Sequence, residues 1–156
     1  MFKKIPHFIV VLIVCIACSS DNEETSDACA LVDCATPVLA LQFVNQETNE
    51  DLFFNEAFPI NNLQIINTST EETVPFGVNR LEFSEQIFIT LPSFGTSSAT
   101  ENYQVIIPDV FDIALSFSVA LIEDPCCVGN IYNDVSIEGN NAGIVNLDLN
   151  TYRLLF

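Results

Sequence analysis

The chain has 156 residues, 49% apolar and 16% charged. That is too apolar for a disordered chain, and long enough for one domain with its own core once a leader is removed. All 21 acidic residues lie at or beyond Asp21, so without residues 1–17 the chain keeps Arg80 and Arg153 against 21 acids, a net of −19; such a surface repels nucleic acid and anionic headgroups and favours basic partners or divalent cations.

The first element is a leader. Lys3 and Lys4 precede the ten-residue apolar run Phe8–Ala17. A bilayer span needs about 20 residues, so this run fits the core of a signal peptide and not a transmembrane anchor. Cys15-Ile16-Ala17-Cys18 resembles a bacterial lipobox, a small residue before an invariant cysteine, with Cys15 where leucine is usual. The resemblance implies that Cys18 is lipidated on sulfur and becomes the new N-terminus. Cys15, preceded by β-branched Val14, is the poorer candidate. Each buried methylene is worth about 0.8 kcal/mol, and two or three acyl chains hold a protein on a membrane where one does not. Ser19-Ser20-Asp21-Asn22-Glu23-Glu24 resembles the acidic export tag that follows the lipidated cysteine in surface lipoproteins of the Bacteroidetes. Together the two resemblances imply an outer-membrane, lipid-anchored protein facing the extracellular side. Residues 1–17 are then the leader, 18–36 an acidic tether and 37–156 the folded domain.

From Pro37 onward apolar residues alternate with a period of two, and no segment carries a helical period. The clearest strand is Ile113–Leu121, large and apolar at odd positions, Ala or Ser at even ones. Similar runs are Val38–Val44, Leu63–Ile66, Glu85–Leu91, Tyr103–Ile107, Asn133–Ile137, Ile144–Leu149 and Tyr152–Phe156, with Leu52–Phe54 and Leu81–Phe83 as weaker ones. Asn45–Asp51, Pro92–Gly95 and Glu138–Gly143 carry turn chemistry, and Pro92 and Pro108 end the runs before them. The spacing predicts an all-β fold, an antiparallel β-sandwich of about seven to nine short strands, immunoglobulin-like or transthyretin-like. The segment Val44–Phe53 resembles the first hairpin of transthyretin-like and carboxypeptidase-regulatory-like sandwiches, with Asn49 where glycine is usual; this implies a fold and no function. The apolar end Leu154-Leu155-Phe156 reads as a last strand docked in a sheet, because most of the runs are shorter than the ~9–11 residues of a membrane-barrel strand.

Four cysteines remain beyond Cys18: Cys29, Cys34, Cys126 and Cys127. In an exported chain these predict two disulfides. A bond between the neighbours Cys126 and Cys127 would strain their linking peptide, so the pair Cys29/Cys34 is expected to bond crosswise to Cys126/Cys127, in either order. Each bridge would close a loop of about 100 residues, worth up to ~4.7 kcal/mol in the chain-entropy model. Zinc and iron–sulfur ligation fit the spacing less well.

Beyond the leader there is no His, Lys, Trp or Met. Triad catalysis thereby loses its usual base, and Schiff-base chemistry and histidine-ligated metals are excluded. No catalytic residue, resident cofactor or metal site is therefore expected. Glycoside hydrolysis by two carboxylates survives as an alternative, with Glu123/Asp124 and Glu71/Glu72 as pairs. A structural calcium on Glu47, Asn49, Glu50 and Asp51, or on Asp148 and Asn150, lacks an EF-hand pattern. A glycan-binding module is the other alternative, with Tyr103, Tyr132 and Tyr152 as its remaining amphipathic aromatics. Phe94 and Phe111 would either anchor a partner or fold back over the core. The reading is a non-catalytic binding or structural lipoprotein, partnered by the membrane through its anchor and by an outer-membrane protein or glycan.

Overall fold

The computed structural model describes residues 38–92, 100–123 and 128–156. They belong to one unit of the chain, Asp33–Phe156. The described residues form nine strands: β1 Leu39–Val44, β2 Gln64–Asn67, β3 Gly77–Leu81, β4 Gln86–Leu91, β5 Thr100–Ile107, β6 Phe111–Glu123, β7 Val128–Glu138, β8 Gly143–Asp148 and β9 Thr151–Leu155. One 3-10 turn, Ile60–Asn62, precedes β2. The strands form two sheets, β3-β4-β1-β9-β8 and β2-β5-β6-β7, and their apolar faces share one core. The expected β-sandwich is the observed one. It departs from a purely antiparallel fold at one pair: β1 runs parallel to β9, with Leu41 beside Tyr152 and Phe43 beside Leu154.

The core follows from strand parity. Ile113, Leu115, Phe117 and Val119 of β6 point inward, as do Tyr103, Val105 and Ile107 of β5. The other sheet supplies Leu39, Leu41 and Phe43, with Ile87, Ile89, Leu91 and Leu154. Two aromatic groups fill it. Tyr103 stacks on Phe117 at 5.3 Å between centroids, and Tyr132 meets Phe117 edge-on at 5.4 Å. At one end Phe111 lies 4.4 Å from Phe156 and 5.8 Å from Phe43. The chain therefore ends docked in the sheet, with β9 between β1 and β8. Phe111 folds back over the core instead of standing out as an anchor.

Two elements differ from the sequence expectation. Leu52–Phe54 is a turn, not a strand; Leu52 and Phe53 are buried because the turn itself drops into the core. Of Leu81–Phe83 only Leu81 is in a strand, the last residue of β3, while Phe83 lies in the following turn with its ring fully exposed. Pro92 and Pro108 do follow the last residues of β4 and β5. The loop Pro92–Gly95, beyond Pro92, lies outside the described residues, Phe94 included.

Two loops share one construction. In Asn45–Glu50 the Asn45 side-chain oxygen accepts the amides of Glu47 and Thr48, and the Thr48 hydroxyl accepts the amide of Glu50. In Asn67–Glu72 the Asn67 oxygen accepts the amides of Ser69 and Thr70, and the Thr70 hydroxyl that of Glu72. Both loops place their fifth residue in the left-handed region, Asn49 at φ 60° and Glu71 at φ 59°. The pattern Asn-x-x-Thr-x-Glu is visible in the sequence as NQETNE and NTSTEE. Asn49 thus adopts the conformation that the usual glycine would supply.

Candidate functional site

The described polar groups concentrate where β1 parts from β4. Their ladder ends at Gln42–Phe88, and the Asp51 side chain enters the gap. Asp51 is 6% exposed. Its Oδ1 accepts the amides of Phe53 and Phe54, each at 3.0 Å. Its Oδ2 accepts the Ile87 amide at 2.9 Å and Gln42 Nε2 at 3.2 Å. One carboxylate therefore replaces the missing ladder bonds and seats the turn that buries Leu52 and Phe53. Buried donors left without it would cost about 1–3 kcal/mol each.

The chain of polar contacts runs on to the surface. Gln42, 2% exposed, accepts Arg153 Nε on its Oε1 at 2.9 Å. Asn79, Phe88, Gln42, Arg153 and Val145 form one cross-strand row over all five strands of this sheet. Paired positions share a face, so the row lies on the face turned away from the core. Above Gln42 and Arg153 opens a hollow of about 210 Å³. Asn49, Glu50 and Asn55 of the loop after β1 wall one side, and Ser84 and Glu85 of the β3–β4 turn with Gln86 at the start of β4 wall the other. Arg153 is half-buried there, and no acid of the described residues forms an ion pair with it.

A second cavity, about 320 Å³, is mostly apolar, lined by Phe53, Phe58, Ile60, Val78 and Ile87 with Arg80 at its side. The Arg80 guanidinium lies 4.3 Å from the Phe54 ring centroid and pairs with Glu82 at 2.8 Å. Both groups are exposed, so that pair adds little stability.

Elsewhere polar side chains tie the sheets together. Asn150, at φ 60° in the β8–β9 turn, accepts the Tyr132 amide at 2.9 Å and donates to the Asn130 carbonyl at 3.0 Å. The Tyr152 hydroxyl donates to the Tyr132 carbonyl at 3.2 Å. These roles answer several sequence expectations. Tyr103, Tyr132 and Tyr152 are buried in the core and present no ring face to a sugar. Burial, with the Glu101 charge next, pushes the Tyr103 phenol up to about 12; burial, then Asp134, raises that of Tyr152. Of the proposed calcium ligands, Asp51 and Asn150 hold backbone groups instead. The described residues contain no cluster of three or more His, Cys, Asp or Glu placed to share a metal ion.

Glu71 and Glu72 are exposed on their turn. Asp124, the lipidation candidate Cys18 and the disulfide candidates Cys29, Cys34, Cys126 and Cys127 lie outside the described residues. Gln42 and Arg153 escaped the sequence reading. Their signal was a lone polar residue at an outward position of an apolar strand, in LALQFV and in TYRLL. No protein-family model, curated protein or solved structure matches this chain.

Proposed function

We propose that the chain is a lipid-anchored module of the bacterial cell envelope, held at the outer membrane through Cys18 and facing outward, whose sandwich works by binding or as structure and not by catalysis. The pattern Cys15-Ile16-Ala17-Cys18 and the acidic stretch behind it support the anchor and the address. The observation that carries the non-catalytic part is the state of Asp51. It is the one buried carboxylate among the described residues, and its oxygens accept four hydrogen bonds. The groups of a hydrolytic carboxylate pair need to face substrate with open lone pairs. The other acids whose side chains are described are exposed, except half-buried Glu101.

The anchor is tested by Cys18→Ala. The variant is expected to lose incorporation of labelled palmitate and to leave the membrane fraction, while protease added to intact cells degrades the wild-type domain. A variant that stays acylated and membrane-bound contradicts the anchor. A wild-type domain that resists protease until cells are lysed contradicts the outward address.

A further inference from the structure

The geometry points to the hollow above Gln42 and Arg153 as a binding site for a neutral, hydroxyl-rich ligand, a sugar unit of a glycan. The inference deepens the binding half of the proposed function and does not depend on Cys18, so failure here leaves the anchor standing. Three observations carry it. First, Arg153 is held by a buried relay. Its Nε is fixed on Gln42, and Gln42 is fixed on Asp51, which the backbone of two elements clamps. A planar guanidinium whose Nε is pinned presents its terminal nitrogens as preorganised donors, at low entropic cost to a ligand. Those nitrogens make no hydrogen bond or ion pair with the described residues.

Second, the walls supply acceptors and donors in alternation. Glu50 and Glu85 accept only; the Asn49, Asn55 and Gln86 amides and the Ser84 hydroxyl do both. A sugar hydroxyl also both donates and accepts, so this mixture matches its chemistry. Third, the charges disfavour the simpler ligands. Two carboxylates beside the arginine repel an anion, the arginine repels a metal ion, and no metal-sharing cluster exists among the described residues. The walls are almost wholly polar, which excludes a lipid chain or an aromatic drug-like body. The volume of about 210 Å³ suits a single hexose ring. Recognition here rests on hydrogen bonds, since the tyrosines expected to stack on a sugar are in the core.

The test exploits composition. Arg80 and Arg153 are the two arginines of the chain, so the arginine Nε region of an ¹⁵N–¹H spectrum holds two signals. The full chain, in a detergent without a sugar headgroup, is titrated with cellobiose, lactose and mannobiose to about 50 mM, well above a millimolar Kd. At least one disaccharide should move the Arg153 signal saturably and leave Arg80 in place. Ser84→Ala, on an exposed turn remote from the core, should weaken that saturation about threefold to tenfold. Sodium acetate and free lysine serve as charged probes. The proposal is overturned if no disaccharide moves Arg153, if acetate or lysine moves it as strongly as the best sugar, or if Ser84→Ala leaves saturation unchanged.

Discussion

At the scale of single residues, Asp51 decides whether the turn after β1 can bury Leu52 and Phe53. Asp51→Ala strips acceptors from three backbone amides and Gln42, and should cost about 3 kcal/mol in urea unfolding. Asp51→Asn keeps one acceptor oxygen and should cost less. Equal, small losses in both variants would mean the carboxylate is not the clamp. The left-handed positions make a second prediction. Glu71 carries a side chain at φ 59° that glycine tolerates freely, so Glu71→Gly should raise stability by about 1 kcal/mol. Asn49→Gly should gain less, because asparagine already visits that region. The Asn-x-x-Thr-x-Glu pattern was present in the letters. What could not be read from them was that Asn45 and Asn67 cap their own loops, since an asparagine reads the same in the sequence whether or not it accepts two amides.

At the scale of elements, the strands that were legible are those with one buried face. β6 is the best example: every second residue from Phe111 to Val119 is in the core. β3 was nearly invisible because all five of its residues are exposed at a sheet edge, where no alternation is imposed. β7 was legible only in part, for a different reason. Between Ser116–Ser136 and Ser118–Asn133 it carries one extra residue, and Asp134 takes φ 54° there. This bulge flips the parity, so Tyr132 and Ile137 both face inward from positions of opposite parity. Alternation counted across Asp134 therefore fails. The β7–β8 turn gives a sharp check. Gly139 sits at φ 113°, and a Cβ there would stand 2.9 Å from the Asp112 carbonyl oxygen. Gly139→Ala should lower stability by about 1–2 kcal/mol through that backbone clash. An unchanged melting temperature would show that the turn has another shape.

At the scale of the whole molecule, the sandwich holds no described histidine, and the buried phenols Tyr103 and Tyr152 make it respond to alkali. Tyr103 ionises at about 12 in the folded chain against 10 when unfolded. Below pH 10 both states keep the proton and the full stability is present. Between 10 and 12 the unfolded chain loses its proton first, so stability falls as pH rises through that window. The raised Tyr152 phenol acts in the same sense. Spectrophotometric titration should therefore show Tyr103 and Tyr152 ionising late, followed by unfolding; ordinary ionisation of both with no loss of structure would contradict this. The sheet class was legible because binary alternation reports burial directly. The hollow at Arg153 was not, because it joins β1, β9 and two loops that lie far apart along the chain.

The central claim, that a lipid-bearing Cys18 presents this sandwich at the cell surface, is tested most directly by mass spectrometry of the native protein's N-terminal peptide. The account predicts a peptide beginning at Cys18, with a thioether-linked diacylglycerol on its sulfur. An unacylated peptide beginning at Met1 would contradict it.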